Sequence, residues 1–557
     1  MDGPPSSTAP ATADASPAST RSTLASVRLV SICTLLSRVL GLGREMAMAW
    51  LFGAGTVSDA FTLAFRIPNV FRQLLGEGAL TTAFLPRFVQ ELEQRGPAEA
   101  RRLSSGVLFT LAALLVVFVL MAEGAIGLAF LLGTWSERTT LLLQLIAILL
   151  PYLLVICLSA QLCAVLQSLR SFFWPAMIPV LLNIAWIAST FVAPWASADS
   201  AHRIQLVAGG VVVGGVVQLL IPYVVLAGRG YGLTSDWRGV WPQVRAVFAA
   251  MTPVLAGVLL SQASTLMDTS LAWWLADGER TAIGSTSTVT TGTAAALYYA
   301  YRLLQFPMGV FGVALGTVLF PVLTRSAKRE DWTLFRRDYG HGLEMALAIG
   351  IPASVALVQL AAPLTQVLFE RGNFDRHDSA LTARMVVGYG VSVWASIAVL
   401  IVNRGFYAVE DRLTPVRMAS IAVALNLVLS LSLVFLVGGD GLAWASSISA
   451  IVQLGLCVWA ATTRFGAFDA ASIGRTVGKT LAASAGMVVV CYLLSGAFTG
   501  PSRMSAAGLA TVCVAGGGTY LAIAHLIGLT HPAELLYPRR RRGNQDTDDE
   551  DVPVEMV

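Results

Sequence analysis

Apolar residues run along this chain in long stretches separated by short polar loops. A helix needs about 20 mostly apolar residues to cross the hydrocarbon core of a bilayer. Fourteen stretches meet that length, at 27–52, 57–86, 105–133, 139–167, 172–194, 204–228, 246–276, 294–324, 340–369, 379–408, 415–437, 441–463, 476–498 and 505–530. The pattern predicts an all-α integral membrane protein with fourteen transmembrane helices. The second stretch is the least typical, because Arg66, Pro68 and Arg72 interrupt it.

Composition narrows the class further. Of 557 residues, 55% are hydrophobic and only 13% charged, against about 25% charged in an average soluble domain. A soluble chain of this length would need several domains with charged skins, and the charge for them is lacking. The six cysteines, Cys33, Cys157, Cys163, Cys457, Cys491 and Cys513, lie inside apolar runs without metal-ligand spacing and read as small buried hydrophobes. No metal site is expected. Residues 1–26, rich in Ala, Ser, Thr and Pro, read as a disordered cytoplasmic leader. Residues 538–557, with Arg539 to Arg542 followed by acids from Asp546 to Asp551, read as a membrane-surface anchor and a solvated tail.

Loop charge orients the helices. Assigning every second loop to one side gathers twenty-five of the 37 basic residues there, among them Arg21, Arg28, Arg325, Lys328, Arg404, Arg412, Arg464 and the tail arginines. Six fall on the other side and six within the spans. The bias places both termini in the cytoplasm. Dropping the second span would scramble the alternation, so it is kept.

The second and eighth spans read as copies. One runs from Phe65-Arg66 through Gly76 and Gly78 to Phe84-Leu85-Pro86, the other from Tyr301-Arg302 through Gly309, Gly312 and Gly316 to Leu319-Phe320-Pro321. Arginine and terminal proline are 20 residues apart in one and 19 in the other. Copies six helices apart predict two pseudo-symmetric six-helix lobes, 27–228 and 245–464, and two additional C-terminal helices within 475–530. Parallel repeats of this kind occur in transporters, with the substrate site between the halves.

Charges inside the spans are the candidate chemistry. An arginine at the bilayer centre costs about 2.5–3.5 kcal/mol on insertion scales, so Arg38, Arg44, Arg66, Arg72 and Arg302 are expected to face a wet cavity or to sit near an interface. Arg38 and Glu45 are seven residues apart, as are Asp59 and Arg66, so each pair shares a helix face. With Glu77, these acids are the supporting charges, and locking helices together is an alternative role for them. Arg302 has Tyr301 and Gln305 beside it and no acid. The planar guanidinium fork suits phosphate, which points to an anionic, phosphate-bearing substrate. Asp268 in the seventh span and Asn426 in the eleventh form a candidate ion-coupling pair; Asp268 could equally hydrogen-bond a neighbouring helix.

Ser37-Arg38-Val39-Leu40-Gly41 with Arg44-Glu45, then Phe52-Gly53-Ala54-Gly55 and Asp59-Ala60-Phe61, resemble the opening of the MurJ/MviN family of lipid II flippases. So do Phe65-Arg66-Ile67-Pro68-Asn69, Arg72, Glu77-Gly78-Ala79 and Ala83-Phe84-Leu85-Pro86. Tyr298-Tyr299-Ala300-Tyr301-Arg302, Phe306-Pro307, Leu368-Phe369-Glu370-Arg371-Gly372 and Tyr407-Ala408 with Asp411, Thr414 and Pro415 extend the likeness over roughly residues 27 to 530. The resemblance implies a MATE-like exporter fold with a central cationic cavity lined or supported by Arg38, Arg44, Arg66, Arg72 and Arg302. It implies lipid II, the undecaprenyl-diphosphate-linked peptidoglycan precursor, as substrate. It implies a groove for the polyprenyl tail in the last two helices, and a bacterial inner membrane location. Tyr301 and Gln305 stand where the family carries acids, and the Ser- and Thr-rich loop 278–293 is longer than usual.

The expected mechanism is alternating access, driven by membrane potential or by sodium or protons at Asp268, with no cofactor and no enzymatic step. Membrane lipids and, as candidates, cell-wall synthesis proteins complete the partners; nucleic acid is not among them. A flippase for another lipid-linked glycan and a MATE-like drug exporter are the nearest alternatives, although an exporter of cations would want an acidic cavity. A membrane enzyme acting on polyprenyl phosphates would need a clustered carboxylate or histidine site, and His202, His341, His377, His525 and His531 are scattered.

Overall fold

The computed structural model describes residues 17–276, 289–498 and 504–529. Among them every regular element is helical. The N-terminal half holds α1 (Pro17–Phe52), α2 (Thr56–Phe71), α3 (Ala79–Arg95), α4 (Pro97–Leu132), α5 (Glu137–Ser168), α6 (Phe173–Ala196), α7 (Ser200–Gly228) and α8 (Trp241–Leu275). There follow α9 (Thr293–Pro307), α10 (Val313–Lys328), α11 (Trp332–Gln359), α12 (Ala361–Phe369), α13 (Arg376–Gly390) and α14 (Val393–Ala408). The series ends with α15 (Leu413–Val437), α16 (Asp440–Phe465), α17 (Ala470–Phe498) and α18 (Ala506–Leu526). Residues 1–16 of the expected leader, most of the 278–293 loop and the whole 538–557 tail lie outside the described residues. Residues 17–26, also assigned to the leader, are helical: Pro17 opens α1, and the next nine residues contain neither Gly nor Pro to stop it.

Ten helices among the described residues are long and apolar enough to cross a membrane, and the pair α13–α14, bent by 41°, makes an eleventh if it is one span. The remaining three expected spans correspond to α1, the α2–α3 run and α8. Charge dilutes the apolar character of the first two, through Arg38, Arg44, Glu45, Asp59, Arg66 and Arg72.

The repeat read from sequence has a counterpart in backbone geometry. A π-helical segment, Arg72–Gly78, joins α2 to α3, and another, Met308–Gly312, joins α9 to α10. Each begins six residues after its arginine, Arg66 or Arg302. Each also follows a proline, Pro68 or Pro307, whose missing N–H weakens the i→i−4 ladder.

Two compact units interleave along the chain. The first comprises Met1–Leu304, Ala361–Tyr389 and Val416–Ser449. In it α7 packs against α5 and α6, α6 against α1, and α2 against α5. Small residues bring these helices together: a Cβ on Gly215 would stand 2.6 Å from the Tyr152 ring, and one on Gly214 2.8 Å from Ala185 Cβ. Phe61, Phe65, Tyr152 and Trp186 fill the space between them as a stack of edge and face contacts.

The second unit comprises Gln305–Leu360, Gly390–Pro415 and Ala450–Val557. Here α11 packs against α14 and α17, α10 against α14, and α17 against α18. Tyr339 is buried among Phe335, Phe465 and Phe468, and its hydroxyl donates to Val402 O. Between α14 and α15, Asp411 caps the first turn of α15 by accepting from the N–H groups of Leu413 (3.1 Å) and Thr414 (3.0 Å). Its other oxygen takes the Thr414 hydroxyl (2.8 Å) and the Arg464 guanidinium (2.7 Å). Burial alone would raise the Asp411 carboxyl, but the Thr414 bonds and Arg464 outweigh it and hold the group below its ordinary value.

A depressed carboxylate stabilises the fold above its unfolded pKa, about 4, and that contribution is lost as pH falls through the lower folded value. Asp411→Ala is expected to cost about 1 kcal/mol, read as a lower melting temperature of the detergent-solubilised protein at neutral pH. Wild type and variant are expected to converge only in strong acid.

Candidate functional site

Three helices of the first unit meet around one carboxylate. Glu45, on α1 and 3% exposed, accepts through Oε1 from the adjacent Arg44 guanidinium and from the Tyr298 hydroxyl of α9 at 2.8 Å. Arg302, one turn after Tyr298, places its Nε 3.4 Å from the same oxygen and donates from Nη2 to the Tyr298 hydroxyl at 3.0 Å. Arg44 is held on its far side by α6, where Nη1 donates to Asn183 Oδ1 at 3.0 Å and the guanidinium lies 4.3 Å above the Trp186 ring. Asn183 completes the joint by donating to Ser37 O on α1. Arg66, on α2 and 8% exposed, donates to Thr269 of α8 at 3.2 Å.

Glu45 serves two guanidinium groups, and no carboxylate among the described residues forms an ion pair with Arg66. The Arg302 side chain retains 33% of its exposure, against 4% for the Glu45 side chain. Arg302 thus sets a partly exposed guanidinium against a buried carboxylate.

The remaining predicted residues separate into different roles. Asp59 is fully buried, and its two oxygens accept the backbone N–H groups of Gly292 and Ala295, each at 2.7 Å. It thus caps α9, two turns before Arg302, and fixes where that helix starts. Arg72 lies in the π segment and folds back onto Asn69 Oδ1 through Nε (3.2 Å) and Nη2 (3.1 Å). Arg38 is exposed on α1, whereas Glu45, on the same face, is buried. Glu77 belongs to the same π segment as Arg72, and its side chain lies outside the described residues.

Asp268 and Asn426 do come together. The Asp268 carboxylate, 3% exposed, accepts from the hydroxyls of Ser430 (2.7 Å) and Ser446 (2.9 Å). Asn426 donates from Nδ2 to Ser446 Oγ at 3.3 Å, while its Oδ1 is buried without a partner. Asp268 is also within electrostatic reach of Arg66. No group of three or more His, Cys, Asp or Glu suited to a metal occurs among the described residues.

The sequence profile of the family described as lipid II flippase MurJ matches residues 48–507. The chain belongs to that family. A lipid II flippase MurJ of Burkholderia cenocepacia is 34% identical over 437 residues, which cover 76% of this chain and 81% of that protein. In fold, the chain is similar to a solved lipid II flippase MurJ in an inward closed conformation, with TM-score 0.74, 23% identity and coverage of 90% of this chain and 98% of that one. It is also similar to an inward-facing multidrug resistance MATE family transporter of the MOP superfamily, with TM-score 0.59, 13% identity and coverage of 80% and 99%. The MurJ relatives are named as flippases, transporters rather than enzymes.

Several residues of this group carried weaker signals in the sequence. Asn183 and Trp186 are three apart on α6 and so share a face; a lone amide in an apolar span was the available signal. Ser430 lies four residues after Asn426 and was legible by the same spacing. Ser446 carried no local signal, since only the packing of α16 brings it to Asp268. Tyr301, where the MurJ resemblance leads one to expect an acid, stacks edge-on against Tyr389 with ring centroids 5.9 Å apart.

Glu45→Gln keeps the shape of the junction but strands two arginines. It is expected to destabilise the protein by about 3 kcal/mol, measured by thermal unfolding in detergent. Tyr298→Phe is expected to cost about 1 kcal/mol in the same assay.

Proposed function

We propose that this protein flips lipid II from the cytoplasmic to the outer leaflet by alternating access, with both termini in the cytoplasm and all fourteen predicted spans crossing the membrane. Family membership supports the substrate, and the paired π segments at equivalent places of the two repeats support lobes at 27–228 and 245–464 that bend in register.

The observation that carries the site assignment is the partly exposed Arg302 guanidinium, tied through Glu45 and Tyr298 to Arg44. In the proposed cycle the diphosphate approaches Arg302 and competes with Glu45 for it. Arg44 stays on Asn183 and Trp186, and Arg66 adds positive potential from α2. Arg38 and Arg72 sit at the margins of this group and attract the headgroup electrostatically. Because Glu45 can retake Arg302, release needs no change in protonation, and the polyprenyl tail stays in the bilayer throughout.

The Asp268, Asn426, Ser430 and Ser446 group is the proposed coupling site for sodium or a proton. Its hard oxygen donors suit a small cation, and its reach to Arg66 offers a route by which the ion alters the anion site.

Two measurements test these assignments. In proteoliposomes containing lipid II, Arg302→Ala and Arg66→Ala are each expected to slow transfer about tenfold or more, the loss of a charge-assisted contact, while the protein remains folded. Wild-type rates in both would refute the arginine assignment. For the ion site, sodium chloride is expected to raise the melting temperature of wild type above that in an equal concentration of choline chloride, and Asp268→Asn to abolish the difference. An equal sodium shift in the variant would remove Asp268 from the site.

A further inference from the structure

The second unit carries an arginine that the proposed transport site does not use. Arg404 lies on α14, one turn before its C-terminal end. Its Nε is buried without a hydrogen-bond partner, and no carboxylate of the described residues pairs with its guanidinium. Snorkelling to water would relieve an isolated arginine near a helix end, but here the side chain is laid against α10. A Cβ on Gly316 would stand 3.1 Å from Arg404 Nε and 3.7 Å from Nη2, so the absence of a side chain at 316 is what admits the guanidinium. The Phe320 ring, one turn further along α10, has its centroid 5.8 Å from Arg404 Cζ.

Neighbouring charges leave the cation uncompensated. Asp411, the acid closest in sequence apart from the exposed Glu410, has both oxygens engaged by Leu413, Thr414 and Arg464. Arg404 and Arg412 both lie within electrostatic reach of the Tyr407 hydroxyl, and Tyr407 is 38% exposed. A guanidinium with an aromatic flank, a second cation nearby, an exposed phenol and no internal anion is arranged for an external one. In a chain that spans a membrane, on the side where basic residues concentrate, the abundant anion is a lipid phosphate.

We infer that Arg404, seated on Gly316 and flanked by Tyr407, binds a lipid-borne phosphate at the α10–α14 face. The inference rests on the membrane-spanning fold and its orientation, and not on the diphosphate role of Arg302. Two lipids present the same chemistry there: a bulk acidic phospholipid, and the diphosphate of lipid II.

Native mass spectrometry of the purified full-length protein separates them, with phosphatidylglycerol, lipid II and a phosphate-free galactosyl diacylglycerol titrated in turn. Arg404→Gln is expected to weaken phosphatidylglycerol, lipid II or both by about tenfold and to leave the galactolipid unchanged. Loss for phosphatidylglycerol alone assigns the site to bulk lipid, and loss for lipid II alone assigns it to the transported molecule; either supports the inference. Gly316→Ala, which keeps Arg404 but crowds its Nε, is expected to weaken the same lipid several-fold, and decides the matter should Arg404→Gln fail to fold. Unchanged affinity for both phosphate lipids, or an equal loss for the galactolipid, would overturn the inference. Because the readout is binding and not transfer, such a failure leaves the Arg302 and Arg66 transport test standing.

Discussion

A guanidinium inside a bilayer must find an anion, a polar lining or water, and the first unit is built around that requirement. Glu45 meets it for two arginines at once, and two other helices contribute to the same junction. Tyr298 sets the distance between α1 and α9 by donating to Glu45 while accepting from Arg302. Asn183 and Trp186 clamp Arg44 from α6. Removing the carboxylate would leave like charges facing each other in a medium that screens them poorly, so the positions of α1, α6 and α9 depend on it together.

Backbone satisfaction is the second constraint, and it shapes where the helices bend. Pro68 and Pro307 each remove a donor from the ladder, and a π segment follows in both cases. Asp59 shows the same logic at a helix start, since its carboxylate supplies acceptors for two N–H groups at the beginning of α9 that have no partner within the helix. The acid that looked like a charge partner for arginine is therefore a fixing point for the helix that presents Tyr298 and Arg302. Asp59 and the Tyr298–Arg302 pair are thus joined through one helix.

Similarity to a MATE transporter in fold comes with only 13% identity. Arginines and tyrosines occupy the junction here, and three of the buried acids are engaged, Glu45 by arginine, Asp59 by backbone and Asp268 by serine hydroxyls. A shared fold leaves the chemistry of the interior to the side chains.

Much was determined by sequence alone, because the bilayer imposes a period and a length that composition records directly. The helical class, the apolar spans and the family were all legible, and so was the placing of Asp268 and Asn426 in one polar group, which Ser446 joins. Helical spacing could place Arg38 and Glu45 on one face, but not say that Glu45 is buried at a three-helix junction while Arg38 is exposed. Tertiary structure alone decided which arginine meets which acid, that Asp59 serves backbone, that Ser446 reaches Asp268, and that Gly316 makes room for Arg404. The physical reason is distance along the chain: Glu45 and Tyr298 are 253 residues apart, and Asp268 and Ser446 178. Local periodicity carries no information about such pairs. Only packing brings them within the 3 Å or so over which a hydrogen bond forms.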